Sequence, residues 1–80
     1  MAIELTLMSR NYCHLCHDME VALATLLAAH GATLTVLDVD ADPALEAKYD
    51  ELVPVLLHGE HELCHYFLDV DGVTAYLAAQ

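Results

Sequence analysis

The stretch Ile3–Cys16, with the sequence IELTLMSRNYCHLC, decides the fold of this chain. Its first half is a short apolar run of the kind that forms a buried strand. Its second half ends in Cys13-His14-Leu15-Cys16, which opens a long helical pattern. Cysteines three positions apart in a first helical turn lie on the same side of the helix, so their sulfurs can close a disulfide. Because a helix N-terminus favours an anion, Cys13 becomes the better thiolate. The pattern indicates dithiol chemistry.

The composition predicts the size of the domain and restricts its binding partners. Eighty residues with 58% hydrophobic content predict one small domain that spans residues 1–80. Arg10 and Lys48 are the only Lys and Arg against 13 carboxylates, and the formal net charge is −11. Nucleic acid and anionic membrane are therefore excluded as partners, and a basic or neutral protein is favoured.

The cysteine count and the N-terminal residues indicate the compartment. An odd number of cysteines, three, argues against a secreted disulfide framework. The first residues carry no basic segment, and the apolar run is too short for a signal or a membrane span. We expect an acidic, cytoplasmic monomer.

The periodicity of the chain predicts the element order β-α-β-α-β-β-α. A strand, a helix and a second strand at the start imply a parallel pair joined by a right-handed crossover, and the closing hairpin adds an antiparallel edge. The predicted elements are a strand at 2–8, a helix from Cys13 to about His30, a strand at Thr33–Val39, a helix capped by Asp42 and ending near Tyr49 or Asp50, strands at Pro54–His58 and His61–His65, and a last helix capped by Asp69 or Asp71.

Two finer expectations concern the C-terminal half. Counted back from the Gly59-Glu60 turn, Val55 pairs with Cys64. The last helix turns Val70, Val73 and Leu77 toward the core.

Three motifs in this frame carry a family resemblance. They are Arg10-x-x-Cys13-x-x-Cys16 after the first strand, Asp38-Val39-Asp40 at the end of the second, and Val53-Pro54 before the third. With them the chain resembles the glutaredoxin branch of the thioredoxin-like superfamily, and most of all its short bacterial glutaredoxin-like members. The resemblance implies an α/β minimal thioredoxin/glutaredoxin-like fold with a four-stranded mixed sheet flanked by helices.

The same resemblance assigns site residues. It implies that Cys13 is the nucleophile, that Cys16 is the resolving thiol and that Arg10 lies beside them. It also implies that Pro54 is cis against the dithiol, and that the backbone of Val53 pairs with a bound peptide or glutathione. His14 and Leu15, between the cysteines, and Asp69, in the acidic position for glutathione, complete the expected substrate-binding set.

The chain departs from that family where glutathione would bind. Leu52 replaces the usual Thr, and Cys64–Asp69 fills the region of a glycine pair. The resemblance therefore favours dithiol chemistry over the use of glutathione. We expect no metal and no organic cofactor, with glutathione as one candidate reductant.

The leading hypothesis is a thiol-disulfide oxidoreductase that acts on protein or small disulfides, recycled by glutathione or a reductase. The alternatives are a non-catalytic thioredoxin-like binding module and a CxxC metal-binding or delivery protein, because thiolates bind Zn²⁺ and Cu(I).

The remaining cysteine, histidines and aromatic residues have simpler expected roles. His14 tunes the thiolate, whereas His17 is a solvated helix residue. Cys64 is expected to be a half-buried, small apolar residue. The remaining expectations are no metal site at His58, His61 and His65, and core or rim packing for Tyr66, Phe67 and Tyr76.

Overall fold

The computed structural model describes residues 3–11, 13–49 and 52–80. The strands are β1 Glu4–Ser9, β2 Thr33–Asp38, β3 Val55–His58 and β4 His61–His65, and the helices are α1 His14–His30, α2 Pro43–Tyr49 and α3 Val70–Ala78, with a short 3₁₀ helix at Val39–Ala41.

The four strands form one mixed sheet in the order β2-β1-β3-β4. β1 pairs with β2 in parallel, whereas β1 with β3 and β3 with β4 are antiparallel. The predicted α/β class and the order β-α-β-α-β-β-α are confirmed. Ala2, the predicted start of the first strand, and Asp50, one predicted end of the second helix, lie outside the described residues.

The two central strands are buried on both faces, because alternate residues of a strand point to opposite sides of the sheet. Leu7 of β1 and Leu56 of β3 belong to one apolar cluster, which α1 and α3 cover. Met8 and Val55, one residue along each strand, belong to a second cluster on the other face. The first cluster contains Leu5, Leu7, Met19, Leu23, Leu56, Val73 and Leu77, and the second contains Met8, Val39, Tyr49, Val55 and Leu57.

The edge strand β2 is largely exposed. Val36 and Leu37 keep 42% and 37% of their surface in solvent, although both are large and apolar. The strand ends one residue earlier than predicted. The Asp38 carboxylate accepts a hydrogen bond from the Asp40 N–H at 2.9 Å, which starts the short 3₁₀ helix and turns Val39 into the second cluster.

The predicted hairpin register is wrong by one residue beyond the first pairs. His58 faces His61 as expected, but Cys64 faces Leu56 and not Val55, which pairs with His65. A β-bulge causes the shift. Leu57 pairs with Glu62 and Leu56 pairs with Cys64, so Leu63 is an extra residue on β4 without a partner of its own on β3. The bulge lets the consecutive residues Leu63 and Cys64 both pack against the first cluster.

The helices end as the sequence predicts, but one residue of the last helix is not where the prediction put it. Gly31 ends α1 in the left-handed conformation, at φ 63°, and its N–H donates to the carbonyl of Leu27. Asp69, and not Asp71, caps α3, since its carboxylate accepts from the Gly72 N–H at 3.1 Å. Val70 is 50% exposed, so its predicted place on the inner face is wrong. Helix side chains lean toward the N-terminus, and this first residue reaches beyond the buried face.

Within the described part of the chain, no helix combines the length and the apolar character needed to cross a membrane.

Truncation of Leu23 tests this account of the core. Leu23 is completely buried between α1 and the sheet, so Leu23→Ala should lower the free energy of unfolding by about 3 kcal/mol. Val21→Ala, on the same helix but 61% exposed, should change it by less than about 0.5 kcal/mol. Urea unfolding of both variants with the disulfide intact measures the difference. Equal losses would contradict the assignment of Leu23 to the core.

Candidate functional site

The cysteines of the CxxC sequence lie between the end of β1 and the first turn of α1. Cys13 is the N-cap residue of α1, in extended conformation, and its Sγ accepts a hydrogen bond from the Cys16 N–H at 3.1 Å. The two residues form a disulfide, with their Cα atoms 5.2 Å apart. The sulfur therefore stands where a capping oxygen usually satisfies the free N–H groups of a helix.

The two sulfurs differ in access. Cys16 is 1% exposed and packs at the bottom of the first turn, whereas Cys13 is only partly buried. A reagent or substrate can therefore approach Cys13 from solvent, while Cys16 can be reached mainly by the sulfur of Cys13.

The charges around Cys13 favour an anion locally, in spite of the acidic composition. The first turn of α1 contains no carboxylate and instead carries His14 and His17, both exposed. Arg10 precedes the dithiol, and its Nε lies 3.1 Å from both carboxylate oxygens of Asp40. Because Asp40 offsets much of that charge, the helix N-terminus and the lack of carboxylates in the first turn of α1 are the firmer local contributions.

A polar cleft of about 470 Å³ opens beside Cys13, between α1 and β2. The predicted site residues Arg10 and His14 line it together with Cys13, the more accessible of the two cysteines. Its lining consists of Ser9, Arg10, Asn11, Cys13, His14, His17, Glu20 and Val36.

Val53 and Pro54 reach the same end of the sheet through the strand pairing. Val55 pairs with Met8, so Pro54 comes beside the end of β1, the strand that leads to the cysteines. The Val53-Pro54 peptide bond is cis, and the ring of Pro54 is fully buried. The carbonyl of Pro54 accepts a hydrogen bond from the N–H of Tyr66 at 2.9 Å, which ties the segment after β4 to this site.

Leu15 belongs to a second depression, on the other side of α1. We call it the apolar groove; it measures about 280 Å³ and is lined by Leu15, Asp18, Met19, Ala22, Tyr66, Phe67 and Leu68. Phe67 is 71% exposed, so its expected packing into the core or rim is wrong. The sequence pattern did not reveal the groove, because a Tyr-Phe pair next to a strand looks the same whether it is buried or exposed.

Comparison with known proteins places this arrangement in a family. Residues 4–78 match the model of the glutaredoxin-like domain (DUF836). The chain belongs to the glutaredoxin-like domain family. No curated protein matches its sequence.

Solved structures agree with the family. The protein Ne2328 from Nitrosomonas europaea is 37% identical over 95% of this chain and 92% of its own, with a TM-score of 0.83. The protein XcR50 from X. campestris is also 37% identical, over 95% and 97% of the two chains, with a TM-score of 0.70. Thioredoxin 1 from Thermosipho africanus, 20% identical over 96% and 97% with a TM-score of 0.65, shares the fold.

Asp69 has a structural task in this glutaredoxin-like domain. Its carboxylate caps α3 through the Gly72 N–H, and its backbone N–H lies against the sulfur of Cys64. The predicted glutathione contact would therefore compete with a helix cap.

Cys64 is a free, half-buried thiol, in agreement with the expected packing role. Burial is the main influence on its pKa and raises it; the Asp69 backbone N–H lowers it, and the carboxylates of Asp69 and Glu62 raise it further. The net direction is upward, so Cys64 remains a protonated, poorly nucleophilic thiol at neutral pH.

The histidines of the hairpin contact aromatic rings of this glutaredoxin-like domain. His58 Nδ1 shares a hydrogen bond with the hydroxyl of Tyr76, and the ring of His61 stacks on Tyr76 at 5.5 Å. His65 pairs with Glu62 at 3.2 Å.

The raised pKa of Cys64 can be tested by alkylation of the oxidised protein, in which Cys13 and Cys16 are bonded. Because a raised pKa leaves less thiolate at a given pH, Cys64 should react more slowly than free cysteine between pH 7 and 8, and the rate should rise as the pH increases. Asp69→Asn removes a charge that raises the pKa but keeps the backbone N–H, so alkylation should become faster. Asp71→Asn is the matched control and should not alter it. A rate equal to that of free cysteine would contradict the assignment.

Proposed function

We propose that this chain is a thiol-disulfide oxidoreductase that exchanges the Cys13-Cys16 dithiol and disulfide with a protein disulfide. The observation that carries the proposal is the asymmetric pair at the start of α1: Cys13 caps the helix and is accessible, and Cys16 is buried within bonding distance. A purely structural disulfide has no need for an accessible sulfur at a helix N-terminus.

The proposed reaction starts from the reduced protein. The Cys13 thiolate attacks one sulfur of the substrate disulfide, and the other substrate sulfur leaves as a thiolate that takes up a proton. Cys16 then loses its proton and attacks the Sγ of Cys13, which releases the second substrate thiolate. The substrate gains two electrons and two protons, and the protein ends with the Cys13-Cys16 disulfide. A thiol reductant, glutathione or a dithiol reductase, returns it to the dithiol.

The neighbours of Cys13 have supporting roles in this proposal. The N–H groups of the first turn stabilise the thiolate before attack and when it leaves again in the second step. His14 and Arg10 line the cleft beside it, and Arg10 brings a positive charge that Asp40 partly offsets.

A protein disulfide fits the site better than glutathione does. Glutathione is an anion, and the chain carries a formal net charge of −11. The backbone of Tyr66, at φ 63°, adopts a conformation that suits glycine, but this residue carries a bulky aromatic ring that glycine lacks. An odd number of cysteines favours the reducing cytoplasm as the place of the reaction.

A trapping experiment tests the proposal. Cys16→Ser should form a mixed disulfide with a protein substrate that cannot be resolved, and it should be visible as a shifted band on a non-reducing gel. Cys13→Ser should form none and should lose all disulfide exchange, because the nucleophile is gone. Cys64→Ser is the matched control and should retain the wild-type rate. Exchange that survives Cys13→Ser, or that disappears with Cys64→Ser, would contradict the proposal.

The reductant can be tested separately. We expect slow glutathione-dependent reduction of the disulfide formed between glutathione and 2-mercaptoethanol, relative to a dithiol glutaredoxin, because charge and the Tyr66 ring both oppose the tripeptide. A coupled glutathione reductase assay measures this rate. The uncharged dithiol dithiothreitol is the control and should reduce the Cys13-Cys16 disulfide readily. Equal rates for this chain and a dithiol glutaredoxin would contradict the expectation.

A further inference from the structure

The apolar groove collects large side chains that the fold does not bury. Leu15 is 36% exposed, Tyr66 is 37% exposed and Phe67 is 71% exposed. All three lie at the end of α1 that carries the dithiol. Exposed apolar residues that occur singly are ordinary on a protein surface, but three that converge on one depression indicate a contact with another molecule.

The loop that carries the two aromatic rings is held in place by hydrogen bonds. The N–H of Tyr66 donates to Pro54 and the N–H of Phe67 donates to the carbonyl of His65, at 2.9 and 2.7 Å. The ring of Tyr66 packs edge-on against that of His65, with centroids 4.9 Å apart. Tyr66 also keeps φ at 63°, which is uncommon for a bulky residue. The structure therefore fixes this loop in a conformation that leaves the Phe67 ring on the surface.

The charges at the groove determine what can bind there. Asp18 lines it, and Asp69 and Asp71 come one and three positions after its lining residue Leu68 in the sequence. The two basic residues of the chain lie elsewhere: Arg10 pairs with Asp40 at the polar cleft, and Lys48 lies over the ring of Tyr49 on α2. An apolar ligand with basic neighbours complements this surface, whereas an acidic one is repelled.

The groove lies close to the dithiol along α1. Leu15 lies between the two cysteines, and Met19, at the bottom of the groove, is one helical turn beyond Cys16. Tyr66, on the opposite wall, is hydrogen-bonded to Pro54. A polypeptide joined to Cys13 through its own cysteine can therefore reach the groove.

We propose that the apolar groove receives an extended, basic segment of the protein substrate, with a large apolar side chain of that segment inserted between Leu15 and Phe67. This inference rests on the proposed exchange at Cys13 and names the class of substrate. Met19 of the groove is six residues beyond Cys13, a rise of about 9 Å along α1. Because an extended chain advances about 3.3 Å per residue, the inserted side chain lies about three residues from the reactive cysteine.

Two disulfide peptides test the proposal with the full-length reduced protein. One has Phe three residues from its cysteine and Lys on both flanks, and the other has Ala in place of Phe. We expect wild-type protein to reduce the Phe peptide about tenfold faster than the Ala peptide, and Phe67→Ala to reduce this ratio to near one. Val21→Ala, which removes an exposed apolar side chain outside the groove, should leave the ratio unchanged. Replacement of the flanking Lys by Glu should slow the Phe peptide at low ionic strength and have less effect in high salt.

A second measurement separates docking from chemistry. The Phe peptide with Ser in place of its cysteine cannot undergo exchange, and it should shift the NMR signals of Leu15, Ala22 and Phe67. A ratio near one in the wild-type protein, or a ratio that Phe67→Ala does not change, overturns the inference even if exchange itself is fast. Binding of the Ser peptide at the groove without any exchange at Cys13 supports the docking surface and overturns the proposed function. Absence of both binding and exchange overturns both.

Discussion

The double burial of β1 is the constraint on which the rest of the structure depends. Leu5 and Leu7 face one apolar cluster and Met8 faces the other, so the strand can neither slide nor rotate without exposing one set. β2 and β3 pair along its two edges. Since β1 leads through a short loop to Cys13, the register that the core imposes also determines where the dithiol stands.

The position of Cys13 at the start of α1 explains how a strongly acidic protein can stabilise a thiolate. Charges far from the sulfur are screened over roughly 8–10 Å at physiological salt, whereas the Cys16 N–H of the first turn donates directly to it at 3.1 Å. The chain keeps carboxylates out of that turn and places His14 and His17 there. Its acidity can therefore select partners without strongly opposing the chemistry.

Local signals predicted most of the fold. The three- and four-residue spacing of α1 and the Gly31 stop depend on residues close in the sequence, and the structure confirms both. Of the two predicted caps, Asp69 and Asp71, the structure uses Asp69. The wrong register of Cys64 came from a bulge that serves the packing of Leu63 and Cys64 against α1 and α3, a long-range requirement that no local pattern carries. The dithiol was recognisable from its spacing. The pairing of Arg10 with Asp40, thirty positions apart, and the exposure of Phe67 both depend on tertiary structure.

The outer edge of β2 gives the acidic charge a further meaning. Among the residues that the structure describes, no strand pairs with this edge, which runs beside the exposed Val36 and Leu37. Sheets of separate molecules can join along an edge of this kind. Mutual repulsion between strongly negative molecules opposes such joining. The carboxylates thus act as colloidal protection for an open sheet.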